Sequence, residues 1–287
     1  MADASSSRPM AGKVVIVTGA SAGIGRATAA GLAALGARVV MPCRDAPKCE
    51  ASVARIGAAV PGASLEMMRL DLASMADVRR FASEFARTHA RLDVLINNAA
   101  VVKRRREVTV DGFEETFAVN VLAPFLLTNL LLPMLKASSP SRIVFLTSGL
   151  HKRAHMDMED LQVERGWSSY RAYDRSKLAD ILLTAAMARR LEGTGVTVNA
   201  AHPGLIDTDL GREMSWAQRT VKRWISKPPE VGTRTSVYLA SSPEVEGVSG
   251  RYFADSREVE PSEEARDGEL AERLWRACEG LAGLRTA

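Results

Sequence analysis

The sequence contains few cysteines, and they are not arranged in metal-binding or redox pairs. Cys43, Cys49 and Cys278 are the three cysteines in 287 residues, and no two of them form a CxxC motif. An odd number of cysteines without such motifs is typical of a protein whose thiols stay unpaired in a reducing compartment. We therefore predict no disulfide framework and no metal site.

Long apolar runs are also lacking. A membrane-spanning helix needs about 18 or more consecutive apolar residues, and the nearest stretch, residues 119–135, is interrupted by three polar residues and two prolines. Residues 1–10 are polar and have no apolar segment of the kind that signal peptides contain. We expect a disordered tail at residues 1–10, no stable membrane insertion and a cytoplasmic location.

The excess of positive over negative charge is also small. The 38 Lys and Arg residues exceed the 34 Asp and Glu residues by only four, and much of that excess lies in residues 103–106. A short basic run without a repeated basic face argues against nucleic-acid binding. With 46% apolar and 25% charged residues and no repeats or long linkers, the chain is typical of a folded globular protein. We predict one domain over residues 11–287.

A glycine-rich turn near the N-terminus is the first motif with a chemical use. Residues 13–18 form a short β-branched run, typical of a strand buried on both faces, and a helical segment follows over residues 24–35. A turn between a strand and a helix start can hold a pyrophosphate, because small residues let it approach the backbone N–H groups. The alternative is a turn with a purely structural role. The candidate contacts are Gly19, Ser21, Gly23, Ile24 and Gly25.

The second predicted strand, residues 37–43, ends without an acidic residue. An acid at that point would bind the ribose hydroxyl of NAD, whereas an arginine suits the additional phosphate of NADP. Because Cys43 is followed by Arg44, we favour NADP(H) over NAD(H), the alternative being that Arg44 only faces solvent. Asp45 and Pro47 fit the cap and the first turn of the next helix.

Strands and helices continue to alternate along the chain. Further strands are predicted at residues 64–70, 92–97, 142–147, 196–201 and 250–254, with helices at 74–88, 111–135, 172–191, 229–240 and 263–280. This order predicts a single-domain, Rossmann-type α/β fold, a doubly wound parallel sheet of about seven strands with helices on both faces. Ligands of such sheets gather at the carboxyl ends of the strands. Asn97 and Asn98, which end one strand, either tie strands together or contact a cofactor, or do both.

Tyr173 and Lys177 lie four residues apart in a predicted helix. That spacing places the phenol and the ammonium on one helix face, where the cation favours the phenolate and makes the tyrosine usable as an acid or base. Tyr170 fits this role less well, because its residue four positions on is Asp174. The alternative for Tyr173 and Lys177 is two solvated side chains.

Taken together, these motifs resemble the short-chain dehydrogenase/reductase family over essentially the whole chain. The similar pieces are residues 18–25, Asp71, residues 97–99, Asn120, Ser148, Tyr173 with Lys177, and Pro203, Gly204 and Thr208. Within the family, residues 43–45, 172–179, 202–204 and 252–255 resemble the retinol-dehydrogenase-like branch, which prefers NADP.

The resemblance implies a role for each matching residue. Tyr173 would be the general acid or base, Lys177 would lower the pKa of Tyr173 and bind the nicotinamide ribose, Ser148 would hold the substrate oxygen, and Asn120 would hold a water that relays protons. The implied cofactor contacts also include Asp71, Leu72, Asn98, Ala99, Pro203, Gly204 and Thr208. Association into a homodimer or homotetramer through helices such as 111–135 and 172–191 is implied as well.

Three features depart from the family pattern. Ala100 replaces the usual glycine, and Asp180 stands where the branch usually has asparagine, a change that we expect to affect no catalytic role. Relatives in the branch often have a membrane-inserted N-terminus, which residues 1–10 do not resemble, and this weighs against lipid substrates.

Three further segments have open interpretations. Residues 205–228 fall at the family's substrate lid, and their amphipathic pattern fits an apolar substrate as well as an ordinary surface helix. The basic residues 103–106 either attract an anionic substrate or form a solvated loop. His151 and His155 line the pocket or face solvent, rather than bind zinc.

The sequence thus predicts an NADP(H)-dependent oxidoreductase that interconverts a carbonyl, in a ketone or aldehyde, and an alcohol on a small to medium organic substrate, by hydride transfer with Tyr173 as the general acid/base. The alternative is a non-catalytic NADP(H)-binding regulator of the same fold.

Overall fold

The fold is built around one sheet of eight strands in the computed structural model, which describes residues 8–204 and 229–284. The strand order is β3-β2-β1-β4-β5-β6-β7-β8. Neighbouring strands are parallel except β7 and β8, which pair antiparallel. The strands are β1 (Val14–Val17), β2 (Arg38–Cys43), β3 (Ser64–Arg69), β4 (Val94–Asn97), β5 (Ser141–Leu146), β6 (Val196–His202), β7 (Tyr252–Ala254) and β8 (Arg257–Glu258).

Helices connect the strands and cover both faces of the sheet. They are α1 (Gly23–Ala34), α2 (Ala46–Ala59), α3 (Met75–Thr88), α4 (Glu115–Ala137), α5 (Ser169–Arg190), α6 (Arg234–Ser241) and α7 (Gly268–Leu281). Shorter helical segments lie at Gly149–Arg153, Pro229–Gly232, Pro243–Val245 and Glu264–Arg266.

Two apolar cores form, one on each face. Phe81, Phe125 and Trp275 belong to the core under α3, α4, α5 and α7, whereas Leu32 and Leu239 belong to the core under α1, α2 and α6. Because helices cover both faces, the central strands carry unbroken apolar runs, and all four residues of β1 are buried. The predicted α/β fold class is confirmed.

The chain reverses its direction of winding between β1 and β4. β1 pairs with β2 on one side and with β4 on the other, so the connections that leave these neighbouring strands run to opposite sides. A crevice opens at the carboxyl ends of strands where the order reverses, and it is the usual ligand site of this architecture. The fold therefore places the glycine turn after β1 next to the residues that follow β4.

Helix starts follow the local sequence closely. The Asp45 side chain accepts a hydrogen bond from the Lys48 N–H, with Pro47 in the first turn of α2, and Ser74 caps α3 by accepting from the Asp77 N–H. Both caps satisfy N–H groups that the helix itself leaves unpaired. The predicted caps at Asp45 and Ser74 are confirmed.

The structure differs from the sequence-based expectations in three places. The predicted tail at residues 1–10 extends too far, because Met10 is buried and its N–H donates to the Leu35 carbonyl. The sheet gains the short antiparallel strand β8. The fourth helix begins at Glu115 rather than at residue 111, and it includes a π-helical segment at Ala118–Leu122.

Helix α4 is long and apolar enough to cross a membrane by length and composition. However, 72% of its most apolar window is buried inside the protein, and its buried side chains, such as Phe125 and Leu131, belong to the core. Its hydrophobicity is therefore accounted for by packing between α3, α5 and the sheet.

Candidate active site

The glycine turn after β1 is shaped by close contacts that side chains would block. Gly19 has φ +68° and Gly23 has φ +53°, both in the left-handed region that favours glycine. A Cβ on Gly25 would lie 2.3 Å from the Gly19 carbonyl oxygen and 2.4 Å from Asn98 Nδ2. The glycines thus let the turn fold tightly against the residues that follow β4.

The N-terminus of α1 fits an anionic ligand. Its N-cap residue, Ala22, makes no side-chain capping bond, and the first turn has no acidic residue, in contrast to the capped starts of α2 and α3. Unpaired N–H groups and the positive end of the helix dipole suit a pyrophosphate. Ser21 and Ile24 flank this start, with Ile24 packed partly against the core. The residues present therefore fit a dinucleotide cofactor.

The next two strand ends bring Arg44 and Asp71 together. Arg44 Nη1 lies 3.7 Å from Asp71 Oδ1, and the Arg44 side chain is 66% exposed. Asp71 also accepts a hydrogen bond from the Ala73 N–H, which fixes its carboxylate. Leu72 is partly buried and packs against the core. An exposed cation thus lies beside a hydrogen-bonded carboxylate at the end of the sheet.

The residues after β4 tie neighbouring elements together. Asn98 Nδ2 donates to the Thr18 carbonyl at 2.7 Å, and the N–H groups of Asn98 and Ala99 both donate to Thr18 Oγ1 at 3.0 Å. Asn97 Nδ2 donates to Thr128 Oγ1 on α4. Asn98 thus ties the ends of β1 and β4 together, whereas Asn97 ties β4 to α4. Direct cofactor contact by Asn98 and Ala99 stays a prediction.

Asn120 links this strand end to α5, the helix that carries Tyr173 and Lys177. It is buried in the π-helical segment, a feature frequent at functional sites. Its Nδ2 donates to the Val101 carbonyl and to Ser176 Oγ, and its Oδ1 accepts from the Val101 N–H. Ser176 Oγ in turn donates to the Tyr173 carbonyl. Both amide hydrogens are thus used, so the side chain has only a lone pair of Oδ1 left for the predicted relay water.

Tyr173, Ser148 and Lys177 converge at the carboxyl end of β5. The Ser148 side chain lies close enough to the Tyr173 phenol to lower the pKa of Tyr173, and Lys177 Nζ lies 5.7 Å from the centre of the Tyr173 ring. Burial raises the pKa of Tyr173 above its usual value, because the opposing effect of the Lys177 ammonium is smaller. The expected lowering by Lys177 is therefore present as one contribution but does not decide the net direction.

Lys177 is held by two acceptors of the protein. Its Nζ donates to the Leu146 carbonyl at 2.9 Å and to Asp180 Oδ2 at 2.8 Å, and the carbonyl of Lys177 accepts from Thr147 Oγ1. Asp180 was expected to have no part in the candidate catalytic set, whereas the structure pairs its carboxylate with the Lys177 ammonium. The spacing of three residues on one helix was the signal in the sequence that could have identified this contact.

Two histidines hold the segment that carries Ser148. His151 is fully buried; its Nε2 accepts from the Ser262 N–H, so Nδ1 carries the proton and donates to the Ser148 carbonyl at 2.7 Å. His202 Nδ1 accepts from the Gly149 N–H at 3.1 Å. Burial lowers the pKa of both imidazoles, which keeps them neutral near pH 7. These positioning roles depend on contacts between distant segments, which the sequence did not reveal.

Some of the remaining candidates lie within the residues that the structure describes, and others lie outside them. His155 is exposed beside Glu264, whereas His151, four residues earlier, is buried. Tyr170 is 58% exposed, in keeping with its rejection as the acid. Pro203 and Gly204 follow β6, whereas Thr208 and the predicted lid, residues 205–228, lie outside the residues that the structure describes.

The basic run at residues 103–106 is largely neutralised locally. Lys103 Nζ contacts carboxylate oxygens of Glu107 at 2.7 Å and Glu115 at 3.0 Å, while Arg106 pairs with Glu164. Charges that are paired in this way project little field toward a distant anion. The local ion pairs thus favour a structural role for this run over the attraction of an anionic substrate.

Several known proteins are similar to this chain in sequence and in fold. The family model for short chain dehydrogenase matches residues 13–219. The chain is 46% identical to human retinol dehydrogenase 14, over 96% of this chain and 88% of that protein, and 46% identical to mouse polyprenol dehydrogenase, over 95% and 84%. The Pseudomonas aeruginosa RhlG/NADP active-site complex superposes with a TM-score of 0.71 at 27% identity, covering 92% of this chain and 98% of that chain. The protein is therefore an oxidoreductase of the short-chain dehydrogenase/reductase family, within its retinol-dehydrogenase-like branch.

Proposed function

We propose that the protein is an NADP(H)-dependent oxidoreductase that interconverts a carbonyl and an alcohol, with Tyr173 as the general acid/base. The observation that carries the proposal is the convergence of the Tyr173 phenol, the Ser148 hydroxyl and the Lys177 ammonium, whose Nζ lies 5.7 Å from the centre of the Tyr173 ring. A phenol placed between a hydroxyl and a cation can give a proton to a substrate oxygen or take one from it.

Each residue of the site has a separate task in this proposal. Tyr173 gives its proton to the carbonyl oxygen in reduction and takes a proton from the alcohol in oxidation. Ser148 hydrogen-bonds the same oxygen and so orients it toward the phenol. Lys177 favours the phenolate electrostatically, which offsets part of the effect of burial on Tyr173.

A nicotinamide cofactor bound at this site would supply or accept the hydride. The residues that would hold it are the glycines of the turn after β1 for the pyrophosphate, Lys177 for the nicotinamide ribose, and Asp71 and Leu72 as further contacts after β3. The lack of an acid at the end of β2 and the exposed guanidinium of Arg44 support the preference for NADP(H).

The substrate class is drawn from the chemistry of the site and from the relatives. The relatives above are named for retinol and polyprenol, both isoprenoid alcohols. Retinal and a short polyprenal therefore join small aldehydes and ketones as candidate substrates. Activity on the isoprenoid compounds alone would overturn our expectation that lipid substrates are disfavoured.

The test is a screen of aldehydes and ketones for oxidation of NADPH, followed by Tyr173→Phe. Loss of the acid should lower kcat by about 100- to 10,000-fold, while NADPH binding, measured by fluorescence, should stay nearly intact. Tyr170→Phe is the matched control, because the same group is lost from an exposed position three residues away. If Tyr173→Phe keeps a tenth or more of the parent activity, the proposed role of Tyr173 is refuted.

A further inference from the structure

A buried ion pair lies within α5, the helix that carries Tyr173. It joins Lys177, which is one turn beyond Tyr173, to Asp180. The Lys177 and Asp180 side chains are each only 3% exposed, with Nζ and Oδ2 2.8 Å apart. With the Leu146 carbonyl as a second acceptor, two of the three ammonium hydrogens have fixed partners. The position of the Lys177 nitrogen is therefore set before any ligand binds.

The charge of Asp180 also acts on Tyr173. Among the residues that the structure describes, Asp180 and Asp174 both oppose ionisation of the phenol, and Asp180 does so more strongly. Burial raises the pKa of Asp180 to about 6 in spite of the nearby ammonium. Near pH 7 the carboxylate is thus mostly ionised and cancels part of the positive charge beside Tyr173.

Other groups packed around the site contribute less charge. Asp174 is paired with Arg153 at 3.1 Å, on the helical segment after Ser148. His202 on β6 and His151 on that same helical segment both face the Ser148 loop. Burial lowers the pKa of both imidazoles, so they are neutral near pH 7. Lys152 is exposed to solvent, where screening weakens its effect. Asp180 is thus the acid that acts most directly on the Lys177 ammonium and on Tyr173.

We propose that Asp180 is a positioning residue, whose carboxylate fixes the Lys177 ammonium and partly cancels the positive charge that Lys177 presents to Tyr173. The inference deepens the proposed function and rests on it for its catalytic meaning. The branch usually has asparagine at this position, which keeps an oxygen acceptor for the ammonium but carries no charge. The aspartate of this chain would therefore require a higher pH for loss of the Tyr173 proton, and would favour the protonated phenol that carbonyl reduction needs.

The first test is a tyrosinate titration by near-ultraviolet absorbance, which needs neither substrate nor cofactor. The signal of Tyr173 is the difference between each protein and the same protein with Tyr173→Phe. At each pH, Asp180→Asn should increase the ratio of ionised to protonated Tyr173 about tenfold, the effect of removing one nearby charge at an effective dielectric constant of about 20. Asp180→Ser, which also removes the charge, should change the fraction in the same direction.

Asp174→Asn is the matched control, because it removes the same charge from the same helix without touching Lys177. Its effect should stay within about twofold, since Arg153 already balances Asp174. Circular dichroism defines the pH range in which every variant stays folded. If Asp180→Asn shows no more Tyr173 tyrosinate than the parent at any pH in that range, the proposal is overturned.

Kinetics then separate this inference from the proposed function. With an alcohol substrate, the rising limb of kcat/KM against pH should move to lower pH in Asp180→Asn, while the NADPH affinity stays within about twofold. A protein with no turnover on any carbonyl or alcohol would refute the proposed function, and the absorbance titration would still decide the role of Asp180. Unchanged pH profiles in an active enzyme would refute Asp180 alone.

Discussion

Arg44→Leu is the most direct test of cofactor preference. The guanidinium is 66% exposed, so its bond to a phosphate is weaker than the 1.5–3 kcal/mol of a buried charge-assisted bond and stronger than the 0.2–1 kcal/mol of an exposed ion pair. A value of about 1.4 kcal/mol corresponds to a tenfold change in Kd. We therefore expect Arg44→Leu to weaken NADPH binding about tenfold and to leave NADH binding within about twofold.

The loss of Arg44 also leaves the carboxylate of Asp71, 3.7 Å away in the parent, without this partner. Its repulsion of a phosphate acts in the same direction, so tenfold is the lower end of the expected range. Lys48→Leu is the matched control, because Lys48 is 61% exposed and pairs with Asp45 in the first turn of α2. Its removal should change neither Kd by more than about threefold.

Fluorescence titration with NADPH and NADH measures both dissociation constants. The difference between parent and Arg44→Leu should shrink as salt is added, because exposed charges are screened within about 10 Å at 0.1 M salt. An equal loss of affinity for the two cofactors would refute the reasoning, since only NADPH carries the additional phosphate. An unchanged ratio at low salt would remove Arg44 from the recognition of NADP(H).

Two further predictions concern the glycine turn and an ion pair. Gly25→Ala places a Cβ 2.3 Å from the Gly19 carbonyl oxygen, so NADPH affinity measured by fluorescence should fall at least a hundredfold; affinity within threefold of the parent would contradict the packing argument. Glu272→Gln removes a carboxyl whose pKa Arg190 and Arg189 lower from 4.5 to about 2. A lowered pKa gives stability that is present above pH 4.5 and lost as the pH falls to about 2, so the greater urea resistance of the parent should vanish across that range. An equal difference at pH 7 and pH 2 would count against this ion pair.

Local sequence signals predicted much of the fold. The β-branched run before the glycine turn predicted the buried strand β1, and Asp45 and Ser74 predicted helix starts, because strand burial and capping depend on neighbouring residues. Strand ends were less well predicted: the strand expected at 250–254 begins at Tyr252. Strand β8 depends on pairing with β7, which local sequence does not encode.

The candidate site was predicted as far as helix spacing allowed. A spacing of four positions from Tyr173 to Lys177 places both side chains on one face, and the structure brings them together with Ser148. The contact between Asp180 and Lys177 was missed because a carboxylate three positions from a lysine is usually a solvated surface pair, whereas here other elements bury both side chains. The contact of His151 with Ser262 joins residues 111 positions apart, beyond the reach of any local pattern.

That long-range contact has a consequence for the order in which the protein becomes complete during synthesis. Ser148, Tyr173 and Lys177 leave the ribosome well before Ser262, whose N–H donates to His151 Nε2 in the folded protein. A nascent chain therefore contains Ser148, Tyr173 and Lys177 before it contains Ser262, which helps to hold the Ser148 segment in place through its contact with His151. Premature termination between Lys177 and Ser262 would leave a polypeptide that has all three of these side chains but lacks the hydrogen bond from Ser262 to His151.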